Sequence, residues 1–174
     1  MKQEFSSANT SINSIKLPAV YRKIDWKAMG LEEATCGGFG VLDYGCGKYF
    51  SHIEDFLDDV IGAEFFPFDK FNQPKHVNEY SEQAVLDGWV NCCVCSNVLN
   101  VIKEEEIIQS IANQIVEMGV PYFVSIYDGD KSGEGRKTKE DCYQRNEKVQ
   151  EYLKYFPDAV IRRSVITNAP EYIK

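Results

Sequence analysis

Apolar residues follow two alternating patterns along the chain, and together they predict strands followed by helices. Short continuous apolar runs predict buried strands, whereas apolar residues spaced by three and four predict helices with one inward face. The strands are predicted at 39–42, 60–68, 89–95, 122–127, 159–162 and 165–167. The helices are predicted at 20–29, 51–60, 79–87, 107–116 and 139–154.

This order of elements predicts an α/β fold. We expect a mostly parallel central sheet with helices on both faces. The short spacing of the last two strands predicts a C-terminal antiparallel hairpin. A length of 174 residues fits one domain, which we place at 10–174. The polar residues 1–9 are predicted to form a disordered tail.

Composition and charge narrow the possible functions. The formal net charge is −8 and the isoelectric point about 4.8, whereas nucleic-acid binding normally leaves a basic footprint. Nucleic acid is therefore not favoured as a partner, although a local basic patch stays open. The chain has no apolar run long enough for a membrane span, and the N-terminus lacks the apolar segment of a signal peptide. We expect a cytoplasmic protein without a membrane partner. The sequence does not determine its oligomeric state.

The close spacing of the cysteines at 92, 93 and 95 is similar to that of a metal-binding knuckle. Adjacent residues of a strand point to opposite faces, and no second Cys or His pair stands at ligand spacing. We therefore expect no metal site, and we interpret these cysteines as small buried residues of a reduced protein.

The turn after the first predicted strand carries the strongest chemical signal. Asp43 ends the strand, and Gly45 and Gly47 follow at alternate positions. In a doubly wound sheet, glycines at this point allow a sharp turn and a close approach of ligand to backbone. The third glycine of the usual methyltransferase loop is replaced by Tyr49, and that of the dinucleotide fingerprint by Phe50. The pattern alone does not decide the cofactor, and a tight turn without a ligand is the alternative.

Two further strands are predicted to end at the same crevice. Asp69 follows the second strand, at about the 20-residue separation expected for an acid that binds ribose hydroxyls. Asp69 could equally form a turn, and Glu64 is the competing acid if the strand ends early. Ser96 and Asn97 follow the third strand. A polar loop with three glycines and a basic tip, 128–139, is expected to act as a lid or substrate grip, the alternative being a solvated connection.

Several blocks together resemble small methyltransferase-like proteins, dependent on S-adenosylmethionine, that bacteriophages and other mobile elements carry. The resemblance runs from about Thr10 to near the end of the chain, and its most specific blocks are 96–102 and 129–135. Its blocks are 10–13 with 17–19, 42–49, 68–69, 96–102 and 129–136.

The resemblance implies a Rossmann-like methyltransferase fold and S-adenosylmethionine as the cofactor. It implies cofactor contacts at Asp43, Gly45 and Gly47, recognition of the ribose by Asp69, and Asn97 near the methionine part of the donor. The chain departs from the pattern after this acid, where a lysine replaces a common proline.

Methyl transfer mainly requires alignment of nucleophile and methyl group, with a base where the nucleophile is protonated. The first candidate base is Asp128, and the others are Asp130, Tyr127 and His52. Lys131 and Arg136 are expected to bind the acceptor, which we interpret as a small molecule or a protein. The segment 96–99 lacks the Pro-Pro-aromatic run that methylation of DNA amino groups would want.

Two other functions remain open. A non-catalytic module could bind the donor, or a partner protein, on the same scaffold, which the small size of the chain favours. A nicotinamide-dependent oxidoreductase is the third possibility, and the missing third glycine counts against it.

Overall fold

The computed structural model describes residues 2–9, 16–31 and 38–174, and its centre is a six-stranded mixed sheet. The strand order is β2-β1-β3-β4-β8-β7, and neighbours among the first four are parallel. The antiparallel strand β8 lies between β4 and β7. These strands are β1 Gly40–Tyr44, β2 Glu64–Phe68, β3 Val90–Ser96, β4 Tyr122–Ser125, β7 Val160–Arg162 and β8 Val165–Thr167. A separate antiparallel hairpin pairs β5 Arg136–Lys139 with β6 Cys142–Gln144.

Helices cover both faces of the sheet. They are α1 Ala19–Lys23, α2 Ser51–Ile61, α3 Lys75–Leu86, α4 Glu105–Glu117 and α5 Val149–Tyr152. One apolar core contains residues of α3, α4 and α5, and the other contains residues of α1 and α2. None of the described helices is long and apolar enough to cross a membrane.

Alternation along the strands supplies both cores. Cys92 belongs to the core of α1 and α2, whereas its neighbour Cys93 belongs to that of α3, α4 and α5. Both side chains are fully buried. This placement agrees with their interpretation as small core residues, since successive strand residues point to opposite faces.

The predicted α/β class, the parallel strands and the C-terminal hairpin of β7 and β8 are confirmed. Helix α2 begins at Ser51, as predicted. Phe50 holds the N-cap position of α2, and no side chain bonds to the helix start there.

Three predicted helices are wrong in extent. The helix predicted at 139–154 is instead strand β6, a loop and the single turn α5. The helix predicted at 20–29 is divided: α1 ends at Lys23, Ile24 pairs with Ile173, and a π-helical turn follows at Lys27–Leu31. Helix α3 begins four residues before the predicted start, directly after Pro74.

The segment predicted as a disordered tail makes defined contacts with the β5–β6 hairpin. The backbone N–H of Ser7 donates to the carbonyl of Asp141 at 2.8 Å. The Ser7 hydroxyl donates to the carbonyl of Val101 at 2.9 Å. The ring of Phe5 stacks on that of Tyr143, with centroids 5.5 Å apart. Residues 10–15, which include the first block of the resemblance, lie outside the described residues.

The strand order creates a switch point between β1 and β3. From β1 the chain passes to β2 on one side of it, then crosses to β3 on the other side. The connections that leave the carboxyl ends of β1 and β3 therefore run in opposite directions. In open α/β sheets a crevice forms where such connections diverge, and ligands bind there.

Candidate functional site

A cavity of about 1090 Å³ opens at this switch point. Its walls come from the turns after β1 and β2, the loop after β3, the face of α4, the hairpin and the segment before residue 9. It brings together six of the predicted site residues: Asp43, Gly45, Gly47, Asp69, Asn97 and Arg136.

Glycine stands at the two positions of the turn for different structural reasons. Gly45 has a φ of +92°, and a Cβ there would lie 2.2 Å from Cγ2 of Val98 in the loop after β3. Gly47 has a φ of +79°, and a Cβ there would meet no atom within 4 Å. The lack of a side chain at Gly45 therefore allows the two diverging loops to touch. The lack of a side chain at Gly47 leaves free space beside its Cα at the cavity wall.

Asp43 is a buried carboxyl group in the cavity wall, with 1% of its surface exposed. The Tyr21 hydroxyl donates a hydrogen bond of 2.7 Å to Oδ2. No described residue bonds to Oδ1. Burial raises the pKa of Asp43 to about 7, although the Tyr21 hydrogen bond lowers it; the nearby charge of Asp69 raises it further. At neutral pH the group is therefore only partly ionised.

Asp69 forms a turn and also supports the glycine turn. Its Oδ1 accepts from the backbone N–H groups of Phe71 and Asn72, each at 2.9 Å. Its Oδ2 accepts from the N–H of Gly47 at 3.0 Å. The contacts of Asp69 are thus those of a turn-forming residue, which was the alternative to recognition of the ribose. Asp69 also lines the cavity. The competing acid, Glu64, accepts from the Tyr80 hydroxyl at 3.1 Å and is not part of the cavity wall.

The loop after β3 contributes one exposed and one buried amide. Asn97 has a φ of +58°, and its N–H donates to the carbonyl of Ser125 at 2.9 Å. Asn100 is 2% exposed, and its Nδ2 donates to Oε1 of Gln144 at 3.1 Å. Oδ1 of Asn100 has no hydrogen-bond partner among the described residues. Both amides line the cavity.

Asp128 lies against helix α5 rather than in the cavity wall. Its Oδ1 accepts from the N–H of Val149, the first residue of α5, at 3.1 Å. Oδ2 lies 3.8 Å from Nζ of Lys131. In this part of the chain Tyr127, Gly129 and Asp130 line the cavity, whereas Asp128 and Lys131 do not. The structure therefore places neither Asp128 nor Lys131 in the cavity wall.

The hairpin is held to the loop after β3 by buried polar groups. The side chain of Arg145 is 8% exposed, and its Nε donates to Oε2 of Glu147 at 3.0 Å. Its Nη1 donates to the carbonyl of Lys103 at 3.0 Å. Nε2 of Gln144 donates to the carbonyl of Tyr127 at 3.1 Å. These bonds hold one wall of the cavity in place.

Sequence reasoning missed Tyr21, Asn100 and Gln144 as site residues. Tyr21 stands 22 positions before its partner Asp43, and Asn100 stands 44 before Gln144. Asn100 did lie in a block of the resemblance, which was the one available signal. Within the described ranges, no group of three or more His, Cys, Asp or Glu could hold a metal ion.

Comparison with known proteins finds no matching family model, no matching curated protein and no matching solved structure. The cavity and the sequence blocks are therefore what bears on the function.

Proposed function

We propose that the chain is an S-adenosylmethionine-dependent methyltransferase and that the switch-point cavity binds the donor. One observation carries the proposal. The glycine turn after β1 opens onto a cavity that it shares with the acid after β2 and the polar loop after β3. These are the positions at which a doubly wound sheet binds a nucleoside cofactor.

The order of the strands supports the same proposal. Four parallel strands are followed by β8, which is antiparallel to β4 and separates it from β7. A parallel sheet closed in this way has the outline of the methyltransferase fold that the sequence blocks imply. The topology thus supports the proposal of a Rossmann-like methyltransferase fold.

The cavity residues fit the donor chemically. A volume of about 1090 Å³ is ample for a nucleoside-sized ligand. The unpartnered Oδ1 of Asp43 can accept a hydrogen bond from a ligand, and the free space beside Cα of Gly47 permits close approach. The residues that would hold the donor are Asp43, Gly45, Gly47, Asp69 and Asn97.

S-adenosylmethionine supplies a methyl group on a sulfonium that is its own leaving group, so the protein mainly aligns the acceptor. Three of the four candidate bases, Tyr127, Asp130 and His52, line the cavity. Asp130 also pairs with Arg136, Oδ2 to Nη1, at 3.5 Å. Where the acceptor needs a base, these residues replace Asp128 as candidates.

A non-catalytic module that binds the same donor is the second candidate function. The contacts of Asp128 favour it, because the carboxylate first expected to act as a base is engaged with helix α5. The two candidates share the donor site and differ in turnover with an acceptor.

Calorimetric titration with S-adenosylmethionine and S-adenosylhomocysteine tests the donor site. We expect saturable binding by the wild type and none by Gly47→Trp, because the indole would fill the cavity. Gly88→Trp is the matched control, since Gly88 has a φ of +73° and equally open surroundings away from the cavity. Absence of binding by folded wild-type protein, or equal loss in both variants, would refute the proposal.

A further inference from the structure

Lysines without carboxylate partners surround the cavity of an acidic chain. Lys16, Lys48, Lys70 and Lys139 line it, and none of them pairs with a carboxylate among the described residues. The formal net charge of the whole chain is −8. A concentration of unpaired cations in one cleft of such a chain favours an anionic ligand.

None of the carboxylates in the cavity wall pairs with these lysines within the described part of the chain. Asp43 is buried, Asp69 accepts backbone N–H groups, and Asp130 pairs with Arg136. Glu106 is the lining carboxylate for which the described residues offer no partner.

The proposed donor does not explain the excess of lysines. S-adenosylmethionine carries one carboxylate against an ammonium and a sulfonium, so its net charge is positive. Lysines raise the electrostatic cost of binding such a cation. They therefore suit a second ligand, and an anionic one.

The register of the β5–β6 hairpin shifts between Lys137 and Lys139, beside the cavity. Arg136 pairs with Gln144 and Lys139 with Cys142, but Thr138 has no opposite residue. Bulges redirect the side chains beside them. Arg136, Thr138 and Lys139 line the cavity, whereas Lys137 does not. The hairpin thus presents two cations and a hydroxyl to this end of the cavity.

Exposed aromatic rings accompany the cations. Tyr127 is 61% exposed in the cavity wall beside the hairpin. At the glycine turn, Nζ of Lys48 lies 5.3 Å from the ring centre of Tyr49. Nζ of Lys70 lies 5.4 Å from that of Phe71. Cations interleaved with exposed rings suit ligands that combine phosphates with an aromatic base.

We propose that the hairpin end of the cavity binds the methyl acceptor, and that the acceptor is a nucleotide-sized molecule with an aromatic base and at least one phosphate. Lys139 and Arg136 contact the phosphate, and the ring of Tyr127 stacks on the base. The net charge of −8 opposes the binding of a long polyanion, which favours a free nucleotide over a nucleic-acid strand. The acceptor role rests on the proposed function.

Calorimetric titration with nucleoside 5′-monophosphates tests this site, with saturating S-adenosylhomocysteine present to fill the donor site. We expect at least one nucleotide to bind more tightly than its nucleoside, by about tenfold, because the phosphate adds charge-assisted contacts. Lys139→Gln and Tyr127→Ala should each weaken binding about fivefold. Lys137→Gln, on the same strand but outside the cavity wall, should change it less than about twofold.

Several outcomes would overturn the proposal. They are equal binding of nucleoside and nucleotide, no nucleotide binding, and equal effects of Lys137→Gln and Lys139→Gln. Tighter binding of a short single-stranded oligonucleotide than of any mononucleotide would contradict the nucleotide-sized acceptor. Titration of the donor alone separates the two proposals. If nucleotides bind but the donor does not, the phosphate site stands and its role as an acceptor site is refuted.

Discussion

The Tyr21 hydroxyl donates a 2.7 Å hydrogen bond to Oδ2 of Asp43, which is 1% exposed at the wall of the cavity. This pair joins helix α1 to strand β1 directly beneath the glycine turn. Burial raises the pKa of Asp43 to about 7, and the Tyr21 bond limits that rise. The pair therefore links the protonation of the cavity wall to the stability of the fold.

We predict that stability falls as the pH rises through 7. In the unfolded chain Asp43 loses its proton near its ordinary pKa of 3.8, whereas in the folded chain it keeps the proton to about pH 7. In this window the folded chain therefore holds a proton that the unfolded chain has lost. Because of this difference, a rise from about pH 4 to about pH 8 lowers the free energy of unfolding by roughly 4 kcal/mol. Urea unfolding of wild type and Asp43→Asn at both ends of this range measures the effect.

Asp43→Asn should reduce the loss of stability with rising pH, because an amide does not titrate. Tyr21→Phe should increase it, since removal of the hydrogen bond raises the pKa of Asp43 further. Identical pH profiles for wild type and Asp43→Asn would show that this carboxyl group titrates normally.

Gly45→Ala should destabilise the protein by about 2–4 kcal/mol, through the positive φ and the contact with Val98. Val98→Ala in the same chain should remove the part of the destabilisation that comes from the contact with Val98. The part that comes from the positive φ should remain. A double-mutant cycle by urea unfolding measures the coupling. Additive effects of the two substitutions would contradict the close packing of the loops.

Arg145→Met should cost about 3–5 kcal/mol, because it leaves Glu147 and the carbonyl of Lys103 without their donors. Lys154→Met is the control, since its bridge to Glu105 is exposed and should matter by less than about 1 kcal/mol. Urea unfolding measures both. A loss below that of the control would mean that Arg145 does not anchor the hairpin.

Asp128→Ala should cost about 1 kcal/mol, because the N–H of Val149 loses its acceptor. Asp128→Asn keeps an acceptor oxygen and should stay within about 0.5 kcal/mol of the wild type. Thermal unfolding compares them. Equal destabilisation by both would show that the charge of Asp128, rather than the helix-end bond, is what counts.

Periodicity predicted the elements with a clear apolar face. Strands β1 to β4 and the start of α2 at Ser51 follow from local sequence, and so does the C-terminal hairpin. The failure at 139–154 has a physical reason. All four residues of β5 are exposed, so no apolar alternation marks the β5–β6 hairpin, which is held by distant partners such as Asn100.

The site was predictable where backbone chemistry defines it. The turn of Asp43, Gly45 and Gly47 and the position of Asp69 follow from the spacing of glycines and acids around predicted strands. The contacts of Tyr21 were not predictable in this way, because they join residues far apart in the sequence. The position of Asp128 depends on its contact with helix α5, which periodicity predicted as part of a longer helix at 139–154.

Backbone amide NMR tests whether the donor binds at the glycine turn. Addition of S-adenosylhomocysteine to the ¹⁵N-labelled chain should shift the amide signals of Gly45 and Gly47. Gly62, Gly88 and Gly119 also have positive φ values but lie outside the cavity wall, and their signals should stay in place. Unchanged signals from Gly45 and Gly47 at saturating ligand would refute binding of the donor at this turn.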